Sequence, residues 1–362
     1  MSAVAVTGLG VVAPTGVGRE AFAAALATPR AAEAAPPEGG YGVEDFDIRA
    51  QLGRKGTSFL NRCAGLALVA CREALEDSGI PLDDPEVAIG VSLGTTSGSL
   101  RSMSDYTRDT LLESRPYLVN PGFFPNTVMN CATGQTAIRY GLRGVNATIA
   151  SGPLAFLGVL RCATRALRLG YLDGTLAGAV EEFSEHRAWQ VRLARSDGYC
   201  PPPGEGAAVV VLEPAGAARA AGRPVDAEID SVVVSFAPGG ERFPGFEARL
   251  ERTICDALER AGIGPEELVM SAVHPPPDSA EPELGKTVMA ALGARAAMID
   301  LTAVTGDCGA AAGALAFAAT LSRHRGQPAL DGCPSLLAGW TTEGAVAAAV
   351  FRGYSRAGRH ER

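Results

Sequence analysis

What most limits the fold of this chain is an alternation of short apolar runs with longer stretches of helix-spaced apolar residues, which begins at residue 3 and begins again after residue 225. Residues 3–10 form an apolar run ending in Gly8-Leu9-Gly10, which predicts a buried strand followed by a tight turn. Across residues 59–78 the positions Leu60, Cys63, Ala64, Leu66, Ala67, Ala70 and Leu75 recur near helical spacing and the stretch stops at Gly79, so a helix with a C-terminal glycine is expected. Residues 87–94 and 175–179 read as strands and 154–170 as a helix. A strand over 207–214 is closed by Pro214, and the small, charged stretch 215–223 suits a linker. The pattern then restarts, with strands expected over 230–234, 270–273 and 345–351 and helices over 246–262 and 282–293. Alternating strand and helix predicts a layered α/β sheet. Two similar halves, 1–214 and 225–362, each too incomplete to close alone, predict a five-layered αβαβα fold built by pseudo-duplication.

Charge and apolar content narrow the partners. A net charge of -8 supplies no basic field for phosphate backbones or anionic lipid, and no Lys/Arg block resembles a nucleic-acid arm. DNA, RNA and membrane surfaces are therefore not expected partners. Residues 1–8 lack a positively charged leader segment, and no apolar run approaches the roughly 20 residues a spanning helix needs, so a cytoplasmic location is expected. The 47% hydrophobic content over 362 residues is enough for a large core.

Two chemical signals fail on inspection. Gly8-Leu9-Gly10-Val11-Val12-Ala13 imitates a dinucleotide-binding loop, but Pro14, Gly16 and Gly18 follow where the cofactor helix would begin. The eight cysteines, at 63, 71, 131, 162, 200, 255, 308 and 333, form no CxxC pairs and have no histidines at ligand spacing, which argues against zinc and against a disulfide scaffold. Buried thiols are the expectation, including for Cys131 and Cys308. No cofactor and no metal are expected.

Six blocks in order carry a resemblance over nearly the whole chain: Val6-Thr7-Gly8-Leu9-Gly10-Val11-Val12-Ala13-Pro14, Glu76-Asp77-Ser78-Gly79-Ile80, Phe123-Phe124-Pro125-Asn126-Thr127, Tyr140-Gly141-Leu142-Arg143-Gly144, Ala177-Gly178-Ala179-Val180-Glu181 and Gly204-Glu205-Gly206-Ala207. Together they resemble the β-ketoacyl-acyl-carrier-protein synthases, which implies a thiolase-like fold. Active members of that family place a cysteine nucleophile in a Thr-Ala-Cys motif at a helix N-terminus, where backbone amides favour the thiolate. Counting back without a gap from Ala177-Gly178 puts that motif on Ser151-Gly152-Pro153. Pro153 has no thiol and no N–H, so it can form neither the thioester nor that oxyanion-hole donor, while it suits a first helical turn.

The other motifs are also degraded. The first histidine motif, Asn-Ala-His-Gly-Thr in the family, matches Ser271-Ala272-Val273-His274-Pro275-Pro276-Pro277, so His274 survives and its Gly-Thr does not. The second, Lys-Ser-x-Thr-Gly-His, reads Thr302-Ala303-Val304-Thr305-Gly306-Asp307, with Thr302 in place of the lysine and Asp307 in place of the histidine. A carboxylate there repels a malonyl carboxylate and the developing enolate. The glycine-rich Gly-Phe-Gly-Gly-Thr-Asn element reads Ala338-Gly339-Trp340-Thr341-Thr342-Glu343-Gly344. Glu181 and Glu205 match motif glutamates and are expected to brace the fold. His186, His324 and His360 have no companions in the sequence and are assigned nothing.

The resemblance therefore implies a chain-length factor, the non-catalytic partner of a ketosynthase in type II polyketide synthesis. It is expected to form a heterodimer with the cysteine-bearing ketosynthase alpha subunit while an acyl carrier protein carries the growing chain. In such factors interface side chains are thought to cap the acyl tunnel. The corresponding stretch is Leu100 to Leu112, where Met103, Tyr106 and Thr110 fall on one helical face; an ordinary packing stripe is the alternative. Arg143 is expected near the pairing interface. By analogy alone, a reduced, polyene-type product is favoured over an aromatic one. Two other readings stay open: a malonyl decarboxylase or loading ketosynthase-like enzyme using His274, and a thiolase-fold scaffold outside polyketide synthesis.

Overall fold

The computed structural model describes residues 3–27, 39–84, 86–194 and 201–356; Cys200 and His360 lie outside them. Among the described residues there are eleven strands: β1 (Val4–Ala13), β2 (Gly16–Val17), β3 (Ile89–Thr95), β4 (Asn146–Ala150), β5 (Gly174–Glu181), β6 (Gly206–Pro214), β7 (Ala227–Phe236), β8 (Met270–His274), β9 (Ala297–Met298), β10 (Pro334–Trp340) and β11 (Ala345–Gly353). They run in the order β4-β3-β5-β6-β1-β7-β11-β10-β8-β9, with the short β2 folded back on β1. The first five positions and the last five repeat one topology in mirror order. The two series meet where β1 pairs antiparallel with β7, Val4 against Ile229 and Val6 against Ala227.

Helices fill three layers around this sheet. Arg62–Ser78 packs on β1, β6 and β5 from outside, and Phe246–Ala261 packs on β7 and β11. Between the two strand series lie Ala155–Arg168 and Ala310–Gly326, which touch each other and strands of both series. This is the thiolase-like αβαβα arrangement expected from the sequence. Burial on both faces explains why β1 and β6 are near-continuous apolar runs.

Several elements differ from expectation. β1 does not turn at Gly8–Gly10 but continues to Ala13, with a register shift between Val6 and Gly8 on its β6 side. The glycines serve close approach instead: a Cβ on Gly8 would lie 2.2 Å from the Ala74 carbonyl oxygen, and one on Gly10 1.9 Å from that of Ala70, both in the helix Arg62–Ser78. Gly10→Ala is expected to destabilise the chain by about 3 kcal/mol, read as a lowered urea midpoint at unchanged slope. That helix is capped at its start by the Asn61 side chain, which accepts from the Ala64 amide, and at its end by Gly79 in the left-handed region at φ 64°.

The expected linker is also structured. Residues Ala215–Ala220 are helical, with Ala215 and Ala218 buried against β1 and β6. The helix Ala310–Gly326 went unpredicted because its alanine-rich surface is buried nearly all round and carries no polar stripe. At its end, His324 is fully buried and held between the Leu330 carbonyl (3.2 Å) and Ser335 Oγ (2.9 Å), partners that sequence spacing did not reveal.

Candidate functional site

The turn between β4 and the helix Ala155–Arg168 is built by Ser151-Gly152-Pro153. Gly152 sits at φ 52°, a left-handed position that glycine adopts readily, and Pro153 is the second residue of the short 3-10 turn Gly152–Leu154 that leads into the helix. The Leu154 amide is used internally, donating to Ser151 O at 3.2 Å. The turn faces a cavity of about 600 Å³ whose other walls come from Thr96–Gly98, Glu181 and Glu182 at the end of β5, the helix Glu185–Ala194, the loop holding Pro276 and Pro277, Asp307, and Thr341–Glu343 after β10. Pro153, Asp307 and the degraded glycine-rich element, far apart in sequence, thus meet around one space. Among the described residues its lining contains no cysteine and no histidine.

An ion network that sequence reasoning missed organises one side of this cavity. Arg187 is buried; its Nη1 lies 3.0 Å from Glu181 Oε1, and its Nη2 donates to the Asp307 carbonyl (3.2 Å) and faces Asp307 Oδ2 (3.5 Å). Asp307 Oδ1 accepts from the Gly309 amide at 2.8 Å, and Glu181 Oε2 accepts from the amides of Thr96 and Ala310, both at 3.2 Å. Gly309 makes room for this network. Its φ is 49°, and a Cβ there would lie 2.7 Å from Arg187 Nη2. Nothing in the run Ser184-Glu185-His186-Arg187 distinguishes Arg187 from the exposed Arg192 on the same helix, so only tertiary contact could find it.

His274, at the end of β8 opposite Gly339, does not line the cavity. Burial holds its imidazole below the ordinary histidine value, opposed by the carboxylates of Asp300 and Asp307, and its Nε2 is enclosed without a hydrogen-bond partner. Thr302 opens a four-residue helix and its amide donates to Asp300 Oδ1 at 2.9 Å, outside the cavity wall. Cys308 is fully buried with its thiol 3.3 Å from the carbonyls of Glu205 and Thr305, and burial pushes it up to about 12. Cys131 begins the helix Cys131–Tyr140, contacts Asn126 Oδ1 at 3.4 Å, and is pushed by burial up to about 11. Neither is a thiolate near neutral pH.

Glu205 has no exposed surface and grips the Arg62 guanidinium in two contacts, 2.8 and 2.6 Å, while accepting from the amides of Val43 and Phe183. Glu182 accepts from Ser99 Oγ at 2.7 Å and from the amides of Cys63 and Arg101, and burial pushes its carboxyl up. These carboxylates tie loops together, Glu182 within the cavity wall and Glu205 outside its lining.

The helix Leu100–Leu112 forms with the expected bounds, and Met103, Tyr106 and Thr110 share a face of it. Leu100, at its start, lines the cavity; those three do not. The Tyr106 ring leans on Phe124 with centroids 6.0 Å apart. No residue of this helix is buried, and Leu111 is 79% exposed. It packs on the 3-10 segment Pro121–Thr127, which packs on the helix Cys131–Tyr140, which in turn packs on the edge strand β4. Together these elements carry a run of exposed apolar side chains, among them Leu112, Phe123, Phe124, Met129 and Ile138. Arg143 is exposed in the loop entering β4, beside a small hollow with Leu82, Asp83, Asp84 and Val87.

Comparison with known proteins gives concordant likenesses. Residues 27–218 match the family described as Beta-ketoacyl synthase, N-terminal domain. The 3-oxoacyl-[acyl-carrier-protein] synthase 2 of Coxiella burnetii (strain RSA 493 / Nine Mile phase I) is 28% identical over 349 residues, covering 86% of this chain and 83% of its own. Among solved structures, the ishigamide ketosynthase/chain length factor superposes with a TM-score of 0.85 at 31% identity, covering 97% of this chain and 99% of that one. A type II PKS acyl-carrier protein in complex with its ketosynthase bound to the hexaketide gives a TM-score of 0.82 at 18% identity, covering 98% of this chain and 100% of that one, a likeness of fold. No helix among the described residues is long and apolar enough to cross a membrane.

Proposed function

The chain belongs to the β-ketoacyl synthase family, and from that premise we propose that it is a non-catalytic subunit of the chain-length-factor type. It pairs with an active ketosynthase and shapes the acyl tunnel while the partner carries out decarboxylative condensation of malonyl units held on an acyl carrier protein in type II polyketide synthesis. The observation that carries this reading is Pro153. The strand-to-helix turn that presents the family's nucleophile presents here a residue with no thiol and no amide hydrogen. The charge of the cavity agrees with it, because the carboxylates of Asp307, Glu181, Asp278 and Glu343 outnumber the Arg187 guanidinium and disfavour a malonyl carboxylate in the same space.

The pairing rests on the surface. An edge strand and adjoining helices with many exposed apolar side chains form the kind of face that proteins cover with a partner. With the partner in place, the face bearing Met103, Tyr106 and Thr110 is positioned to floor the tunnel, and Arg143 to lie at the margin of the interface.

Co-expression with a ketosynthase encoded beside this chain, followed by size-exclusion chromatography and malonyl-extension assays, tests the proposal. A stable 1:1 complex is expected, with extension by the pair and none by this chain alone. Extension or malonyl decarboxylation by the isolated chain, abolished by His274→Ala, would instead establish the decarboxylase reading. Within the pair, Tyr106→Ala is expected to lengthen the product by one or more two-carbon units, measured by mass spectrometry, because it removes the bulkiest side chain of that face. An unchanged product distribution would return the stripe to ordinary packing.

A further inference from the structure

The inner helix Ala155–Arg168 has one flank that the fold leaves uncovered. The helix lies between the two strand series with Ala310–Gly326 along one side. Away from that neighbour, Gly158, Arg161, Cys162, Arg165 and Leu169 recur at helical spacing; Arg161 and Arg165 are exposed, and so is Leu169. This flank borders the edge strand β4, since a Cβ on Gly158 would lie 3.0 Å from Ile149 Cγ2. Among the described residues β4 pairs only with β3, so its outer edge is open.

Strand β7 continues the same surface. Beyond Ile229 it has left β1 and pairs only with β11. Val232 packs into the inner core and Val233 into the outer one, so by alternation Val234 and Phe236 face the inner layer, where they are 37% and 56% exposed. An open strand edge, two guanidiniums and two apolar side chains thus lie on one side of the molecule.

Charge decides what can cover them. Arg168, at the end of the same helix, donates its Nη2 to the Ile229 carbonyl at 3.1 Å, but Arg161 and Arg165 have no hydrogen bond and no ion pair among the described residues. On Leu100–Leu112, by contrast, Arg101 and Arg108 are already matched by Asp105 and Asp109. A second copy of this chain joined through β4 into one sheet, about a two-fold axis normal to it, would set inner layer beside inner layer and each stripe beside itself. Two packed helices lie roughly 8–10 Å apart, so four unmatched guanidiniums would converge.

We infer that Arg161 and Arg165 select the partner: this flank is covered by a different chain, which presents carboxylates opposite them and apolar side chains opposite Val234 and Phe236, while the same two charges hold copies of this chain apart. The inference rests on the pairing proposed above and names the chemistry that its partner carries.

Sedimentation velocity on the full chain, alone and with the ketosynthase encoded beside it, tests this by charge reversal. Arg161→Glu/Arg165→Glu is expected to weaken the ketosynthase complex at least about a hundredfold. Mixed with the unaltered chain, the same variant supplies the missing carboxylates, and the two copies are expected to associate at least about tenfold more tightly than the unaltered chain does with itself. Arg161→Lys/Arg165→Lys keeps the charge and is expected to retain most of the affinity for the ketosynthase, and raised salt to weaken that complex. An unchanged urea midpoint for each variant shows that the fold is kept. A ketosynthase complex indifferent to charge reversal, or a mixture that associates no better than the unaltered chain alone, would overturn the inference and leave the pairing standing. No complex between the unaltered chain and the ketosynthase would overturn the pairing and the inference with it.

Discussion

Replacing the nucleophilic cysteine of the partner ketosynthase is expected to lower malonyl extension by the pair at least about a thousandfold, whereas Pro153→Ala in this chain should change it by less than about twofold. The asymmetry follows from the two turns. On the proposed pairing the partner's turn forms the thioester, while Pro153 only belongs to the first turn of a helix, a task that alanine performs with little loss. Pro153→Cys is expected to stay inactive on its own side, because the restored thiol would face Asp307 and Glu181 where a malonyl group has to bind. The measurement is single-turnover acylation and extension with purified pairs carrying one substitution each. A large loss on Pro153→Ala with an intact complex would place chemistry in this subunit.

Asp226→Ala is expected to destabilise the chain by about 3 kcal/mol, because it removes a fully buried carboxylate and leaves two partly buried guanidiniums to share Asp77. Asp226 and Asp77 are both nearly inaccessible and together hold Arg325 and Arg356: Arg356 Nε reaches Asp226 Oδ1 at 2.6 Å, and Arg325 Nη2 reaches Asp77 Oδ2 at 2.6 Å. Arg356 also donates to the Thr7 carbonyl and Asp77 accepts from the Leu9 amide, so the cluster pins β1, the end of the helix Arg62–Ser78, the end of the helix Ala310–Gly326 and the segment after β11 at the seam between the two strand series. Urea unfolding checks the magnitude. The pH dependence gives the sign: although burial opposes ionisation, the guanidiniums of Arg325 and Arg356 hold the Asp77 carboxyl below the usual carboxylate range. A carboxyl depressed on folding contributes stability above its unfolded value, near 3.9, and loses it as pH falls through the folded one. Stability is therefore expected to hold at neutral pH and to fall below about pH 4.

The legible parts of the site were those fixed by register. Pro153 follows from counting back from Ala177-Gly178 without a gap, and Asp307 from the Thr305-Gly306 pair before it. Both positions lie on backbone that the fold holds in place, so motif spacing was enough to bring them to one cavity. His274 and Thr302 were read from the same motifs but stand outside its lining, because a match in one dimension says which element a residue ends and not which way its side chain turns.

By itself the sequence determined the alternation of strands and helices, the doubling of that pattern and the presence of proline at position 153, since each depends on local periodicity or on a residue type in a fixed register. Only the tertiary structure decided the rest. It turned Gly8 and Gly10 from a supposed turn into the groove that admits a helix, and it found the alanine-rich helix Ala310–Gly326 at the centre, where burial on all sides erases periodicity. It also set Arg187 between Glu181 and Asp307. Desolvation makes such a charge depend on partners 6 and 120 residues away, and no local pattern encodes that dependence.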